Sequence, residues 1–308
     1  MRIGMIGAMD EEIALYLQEM EQRKETVKAG IRFYEGVLNG KTVVLCKSGV
    51  GKVNAAVTTQ MLIDQFNVEQ IIFTGVAGAA HPDLNIGDIV VSTDCLQHDM
   101  DVTALGFPAG QIPFAEKSVW EADRQLIDLA VRAGQSLAED VQVVTGRVLS
   151  GDQFIANHDK VEQLFTQFQA HCIEMEGAAV GQVCAMNEVP FVIVRSMSDK
   201  ADGSAHVNFA EFTELAARRS FAIVQSMLQQ LGANVIVYST QNCVDCEIVK
   251  KWLKEKGVAF EVRDVMTSKQ YQEEVERFGF MGVPVTVCGD KAVKGFQPNE
   301  LEKLLESR

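Results

Sequence analysis

The sequence predicts an α/β fold in two consecutive strand-and-helix series, and three observations predict it. Short runs rich in Val, Ile and Phe alternate with segments whose apolar residues recur at helical spacing. Glycine-rich turns follow several of the strand runs, as in layered α/β folds. The alternation stops at Gly232 and starts afresh, which suits a chain of 308 residues at the usual one domain per ~150 residues.

Taken in order, "MRIGMIGAM" reads as a strand, followed by an acidic helix around residues 10 to 23. "TVVLCKSG" is a second strand and "GKVNAAVTTQMLIDQF" a helix. Further strands are expected at "QIIFTGVAG", "DIVVSTD", "VVTGRVLSG", "HCIEM" and "PFVIVRSMSD", with helices at about 118 to 138, 158 to 168, 175 to 187 and 209 to 231. "QQLGA" closes the series, with Gly232 as a helix C-cap. The second series runs through strand "NVIVYST", helix "NCVDCEIVKKWLKEKG", strand "AFEVRDV", helix "SKQYQEEVERFG", strand "VPVTVCG", a short "KAVKG" and helix "PNELEKLLES". The expected domains are therefore 1–232 and 233–308, almost without a linker.

Composition narrows the function. A hydrophobic content of 47% excludes a mostly disordered chain. No apolar run approaches the ~18 residues of a membrane span, and "MRIGMIGAMDEE" has no basic leader or cleavage site; the expected compartment is the cytoplasm. A net charge of -14 opposes binding to phosphate backbones, so no nucleic-acid partner is expected. Cys46, Cys95, Cys172, Cys184 and Cys288 are scattered among apolar neighbours, as reduced core thiols are. His81, His98, His158, His171 and His206 show no metal spacing, so no metal is expected.

Several motifs carry chemistry. "SGVGKVNAA" is not a Walker loop, since Cys46 and Val53 stand where Gly and Ser or Thr are needed. "GMIGAM" and "TGVAGAAHP" lack dinucleotide spacing. The same turns would lie together at the carboxyl ends of parallel strands, where open α/β sheets bind ligands. Glu11 and Glu12, Glu174 and Glu176, and Asp199 beside Ser198 each fall just past an expected strand end. Carboxylates converging on one crevice suit general acid and base work. In the second domain, Cys243 and Cys246 form a C-x-x-C between a strand and a helix, where the helix N-terminus favours a thiolate on the first sulfur.

In the first domain "IGMIGAMDEE", "KSGVGKVNAA", "TGVAGA", "GDIVVS", "DMDVTALG", "SGDQFI", "IEMEGAAV" and "VRSMSD" resemble, in order and spacing, the motifs of the 5'-methylthioadenosine/S-adenosylhomocysteine nucleosidases. The resemblance covers residues 1 to 231. It implies the nucleoside phosphorylase fold, an α/β sandwich around a mixed sheet, and hydrolysis of the bond between adenine and a 5'-thio-substituted ribose by a homodimer without cofactor. It further implies that Asp199, held by Ser198, protonates adenine N7, that Glu12 polarises the attacking water, and that Glu176 accepts hydrogen bonds from the ribose hydroxyls. Met175 would pack on the ribose, and Glu174 and Arg195 would position the acids. Ile155 and Phe154 correspond to the adenine clamp, and Gly78 to the loop approaching the nucleoside. Met9, Val50 and Phe209 would surround the 5'-thio group, while Val102, Leu105 and Pro113 match positions that reach the neighbouring subunit's site. Val76 departs from members with a hydroxyl there, and Leu105 from those with an aromatic. The alternatives are a phosphate-dependent purine nucleoside phosphorylase, an aminodeoxyfutalosine nucleosidase and a non-catalytic adenosine sensor.

Residues 233 to 308 resemble glutaredoxins, on "YSTQNCVDCEIVKKWL", "MGVPVTV" and "KGFQPNELEKLL". This implies Cys243 as the attacking thiolate, Cys246 as the resolving thiol and Pro284 as a cis-proline facing them. "VKGFQ" replaces the usual Gly-Gly step, so the reductant and the disulfide substrate stay open.

Overall fold

The computed structural model describes residues 1–134, 141–199, 205–231, 235–289 and 291–306, with side chains from residue 212 onward in the segment that begins at 205. The chain divides into two compact units, Met1–Ser226 and Met227–Arg308. The expected boundary at residue 232, with Gly232 as cap, lies outside the described residues.

The first series comprises β1 (Arg2–Gly7), α1 (Asp10–Glu19), β2 (Glu21–Lys28), β3 (Ile31–Leu38), β4 (Lys41–Lys47), α2 (Lys52–Phe66), β5 (Gln70–Ala79) and β6 (Ile89–Gln97). It continues with β7 (Trp120–Glu121), α3 (Arg124–Gly134), β8 (Val143–Ser150), α4 (His158–Phe168), β9 (Ala170–Glu174), α5 (Gly177–Met186), β10 (Phe191–Asp199) and α6 (Ala205–Gln230), within which the division falls. The sheet order is β10-β6-β8-β9-β5-β1-β4-β3-β2, and β10 also pairs with β5. That extra pairing closes β5, β10, β6, β8 and β9 into a ring, while β1 to β4 extend from β5 as a flap.

The central strands read as nearly continuous apolar runs because both of their faces are covered. Every residue of β10 is buried, and all but one of β5. Pairings of β5 with β1 and β10 are parallel, whereas β5 with β9 and β6 with β10 are antiparallel. The sheet is therefore mixed, as the resemblance implies. The acidic strand ends still meet, because antiparallel β9 touches β5 only at Gly78 and Ala79, bringing Ile173 beside the end of β5.

Two expectations are corrected. The helix expected to residue 23 stops at Glu19, and "EQRKETVK" becomes β2, an exposed edge strand paired antiparallel with β3. Its charged residues mask the strand alternation and at the same time protect a sheet edge. The helix expected from 118 begins at Arg124, because Trp120 and Glu121 pair with Cys95 and Asp94 of β6.

The second series comprises β11 (Val235–Ser239), α7 (Val244–Glu255), β12 (Glu261–Asp264), α8 (Lys269–Arg277), β13 (Val285–Cys288), β14 (Lys291–Lys294) and α9 (Pro298–Glu306). Its sheet runs β12-β11-β13-β14, with β11 parallel to β12 and antiparallel to β13. Val235, Val237, Val249, Leu253, Leu301 and Leu304 pack one core, and Tyr238, Val275, Val285 and Val287 another. "KAVKG" supplies the edge strand β14, and Val283–Pro284 is cis, as expected.

Candidate functional site

Three carboxylates of the first unit surround one buried guanidinium. Arg195, on β10, is 1% exposed. Its Nη2 donates to Glu174 Oε2 at 2.5 Å and lies 3.9 Å from Glu176 Oε2, and its Nη1 lies 3.8 Å from Glu12 Oε1. The face of the guanidinium rests 3.9 Å from the centroid of Phe73. A buried charge is tolerated only when paired, and here it draws the three acids together.

Glu12 sits in the first turn of α1 and is 5% exposed. Its Oε2 accepts from the backbone of Ala8 at 2.6 Å and of Met9 at 3.0 Å, and Oε1 from Val76 N at 2.8 Å. Burial pushes its carboxyl above the ordinary range, against the pull of Arg195 and these N–H groups. Glu12 is therefore oriented by fixed donors yet made more basic, as a proton acceptor requires.

Glu174 and Glu176 do different work although they are two residues apart. Glu174 ends β9 and accepts from Ser150 Oγ, from Gly177 N at 2.8 Å and from Glu176 N, closing the turn into α5. With Arg195 added, its oxygens are fully engaged. Glu176 makes fewer bonds: Gly51 N donates to its Oε1 at 2.8 Å. Burial, reinforced by the neighbouring charge of Glu174, pushes its pKa up to about 8. Glu176 is thus the carboxylate of the pair with acceptor capacity left for a ligand.

Asp199 closes β10, at 2% exposure, and accepts from Ser198 Oγ at 2.8 Å. The register between β10 and β5 shifts between Met197 and Asp199, so that Met197 pairs with Ala77 and Asp199 with Gly78. Such a bulge re-aims a side chain at the end of a strand. Gly78, expected near the nucleoside, is therefore Asp199's direct neighbour on β5.

The apolar residues are carried by four turns. Met9 precedes α1 and Val50 precedes α2; Met9 is partly buried and Val50 half exposed. Phe154 and Ile155 follow β8, with Phe154 53% exposed, and Met175 lies between the two acids. The side chain of Phe209 lies outside the described residues. Val102 and Pro113 are partly buried, while Leu105 is 73% exposed on the long segment after β6.

Some supporting residues escaped the sequence reading. Ser150 bonds both Glu174 and Ala178 N, and Gly51 contributes its backbone to Glu176. Gly75 has φ +155, and a Cβ built there would fall on Glu12 Oε1 and Arg195 Nη1. The signals were present as "SGD" and "TGVAG", but a backbone donor or a missing Cβ carries no chemical label in a sequence.

In the second unit Cys243 and Cys246 form a disulfide. Cys243 is the N-cap of α7, its sulfur accepting from Cys246 N at 3.2 Å. Cys243 is partly exposed and Cys246 fully buried. Cys46, Cys95, Cys172, Cys184 and Cys288 are free and buried. Among the described residues, no group of three or more His, Cys, Asp and Glu could hold a metal ion, and no helix is long and apolar enough to cross a membrane.

Comparison with known proteins gives the same two parts. Residues 2–229 match the phosphorylase superfamily and residues 235–293 match glutaredoxin. A 5'-methylthioadenosine/S-adenosylhomocysteine nucleosidase of Anoxybacillus flavithermus is 43% identical over 233 residues, covering 75% of this chain and all of that one. The nucleosidase of the same name from Neisseria meningitidis, solved with methylthio-immucillin-A, is 39% identical with a TM-score of 0.71, over 74% of this chain and 98% of that one. A futalosine hydrolase of Helicobacter pylori is 36% identical with a TM-score of 0.70, over 74% and 97%. The chain belongs to the phosphorylase superfamily, in the family of 5'-methylthioadenosine/S-adenosylhomocysteine nucleosidases, and carries a glutaredoxin domain in addition.

Proposed function

We propose that residues 1–232 hydrolyse the N-glycosidic bond of 5'-methylthioadenosine and S-adenosylhomocysteine, and that residues 233–308 exchange thiols and disulfides. The observation that carries the first reading is the division of labour among the acids around Arg195, together with Asp199 at the bulge of β10. Asp199, oriented by Ser198, delivers a proton to adenine N7 as the bond to C1' breaks, so adenine leaves neutral. The sugar becomes an oxocarbenium-like cation. Glu12 takes a proton from the water that attacks C1'. Glu176 accepts hydrogen bonds from the ribose hydroxyls, and in its ionised form its charge stabilises the cation that develops beside it. Glu174 and Arg195 hold this arrangement without touching the nucleoside.

Met175 packs on the ribose, Phe154 and Ile155 hold the adenine beside Gly78, and Met9, Val50 and Phe209 enclose the 5'-thio substituent. Val102, Leu105 and Pro113 complete a neighbouring subunit's site in a homodimer; the exposure of Leu105 supports this reading. The protein then works in the cytoplasm, in salvage of the methionine skeleton. Phosphate as the attacking group is disfavoured, because the cations of the glycine-rich turn are already paired: Lys47 Nζ lies 2.7 Å from Asp10 Oδ2 and Lys52 Nζ 2.6 Å from Asp99 Oδ1. The likeness to a futalosine hydrolase supports a second reading, in which an adenine-bearing futalosine-type nucleoside is the substrate.

In the redox domain, the accessible Cys243 thiolate attacks a substrate disulfide and expels one thiolate. Cys246 then attacks the Cys243 sulfur and expels the second. The substrate gains two electrons and the domain is left with the Cys243–Cys246 disulfide.

The test is adenine release from each thionucleoside, with and without phosphate, by the wild type and Asp199→Asn. Release without phosphate, falling by about 10²–10⁴-fold in the variant, is expected from loss of a general acid. Strict phosphate dependence with a ribose-1-phosphate product would overturn the hydrolase, and release only from aminodeoxyfutalosine would favour the second reading.

A further inference from the structure

We propose that Lys52, Asp99 and Asp152 form a charged latch that positions the ribose-binding and adenine-binding turns relative to one another. The proposal deepens the nucleosidase reading and rests on it. Lys52 opens α2, immediately after Gly51, whose N–H holds Glu176. Asp152 lies two residues before Phe154, in the turn that supplies the adenine wall. Asp99 follows β6 and joins the two. Its Oδ1 accepts from Lys52 Nζ at 2.6 Å and its Oδ2 from Asp152 N at 2.9 Å. Asp152 closes the circuit, with Oδ1 accepting from Lys52 N at 2.8 Å and Oδ2 lying 4.0 Å from Lys52 Nζ.

This is unlike an ordinary surface ion pair, whose contribution is small because water competes for both partners. The side chains of Lys52 and Asp99 are only 17% and 15% exposed. Each oxygen of Asp99 is committed to a different turn, and charge-assisted bonds of this kind are short and directional. Burial pushes the Asp99 carboxyl up, but the bonds from Lys52 and Asp152 outweigh it, and the net shift is downward. The turns also fit closely. Gly51 has φ +97, and a Cβ there would lie 3.1 Å from Asp152 Oδ1; one at Gly151 would lie 2.5 Å from His98 Nε2 and 3.2 Å from Asp99 Cγ.

Because Gly51 and Phe154 stand on opposite sides of the latch, its loss lets the ribose and adenine contacts drift apart while Glu12 and Glu174, held by Ala8 N, Val76 N and Gly177 N, stay in place. The effect therefore falls on substrate binding. The experiment uses the full chain and compares Asp99→Asn, Lys52→Met and the double variant with the wild type, by KM and kcat for adenine release from methylthioadenosine and by thermal melting. Each single variant should raise KM about tenfold, the size expected for a charge-assisted bond removed, with kcat within about threefold. The double variant should be no worse than the worse single, because one circuit is broken in each. Lys52→Arg, which keeps the charge, should lie nearer the wild type.

A fall in melting temperature with unchanged KM would overturn the latch and leave only a structural pair. Additive effects would overturn the single circuit. No adenine release by the wild type would overturn the nucleosidase reading and the latch with it, whereas release with KM unchanged in folded variants would overturn the latch alone. Lys52→Met decides the question if Asp99→Asn does not fold.

Discussion

Glu176 shows how position sets the behaviour of a single residue. Its carboxyl is buried beside Glu174, and its pKa moves from the ordinary 4.5 to about 8. Because the folded state holds this proton more tightly than the unfolded chain, the contribution is fully present below about 4.5 and is lost as pH rises through about 8. Glu176→Gln has no proton to lose and keeps an oxygen for Gly51 N. The variant should therefore gain stability relative to the wild type as pH is raised from about 5 to about 8, each kcal/mol appearing as about 2–4 °C in Tm for a unit of this size. Melting both proteins across that range checks the sign; a constant gap would show that Glu176 is ionised throughout. At this scale much of the site was legible, since Glu12, Glu174, Glu176, Ser198 and Asp199 all fall at strand ends. The partition of duties was not. Which of two carboxylates in "EMEG" is committed to the protein depends on Ser150 and Arg195, 24 and 21 residues from Glu174 in the sequence.

At the scale of elements, the site is built where β5 and β10 run side by side. Gly75 pairs with Arg195, and the strands stay in register until the bulge turns Asp199 toward Gly78. β5 must leave room at Gly75, because Glu12 Oε1 and Arg195 Nη1 occupy the space of a Cβ. Gly75→Ala should displace both groups. A shift of about 1 Å in a catalytic constellation is worth about 10²-fold, so kcat/KM should fall by about that factor, with melting temperature lowered as well. Kinetics close to the wild type would show that Glu12 and Arg195 have freedom to move that their bonds do not suggest. Strands such as β5 and β10 were legible because they are apolar on both faces, and α4 because its apolar period is clean. The β2–β3 hairpin was hidden. An edge strand bearing "EQRKETVK" owes its conformation to pairing with β3, which no local pattern announces.

At the scale of the whole molecule, the two activities have separate foundations. The nucleosidase of Anoxybacillus flavithermus is matched over its full length by 75% of this chain, so nothing in that comparison calls on the glutaredoxin domain. Each unit has its own sheet and its own core. In the second unit the Cys243–Cys246 disulfide lies at the start of α7, with Cys243 partly exposed and Cys246 buried. Cys243→Ser removes the sulfur proposed to attack and leaves the sheet, the cores and every acid of the first unit in place. It should abolish reduction of a small disulfide such as hydroxyethyl disulfide while adenine release stays within about twofold, since effects at independent sites do not couple. Measured on one preparation, loss of both activities would mean that the domains share a site or a conformational state; loss of disulfide reduction alone means that one chain carries two independent catalysts.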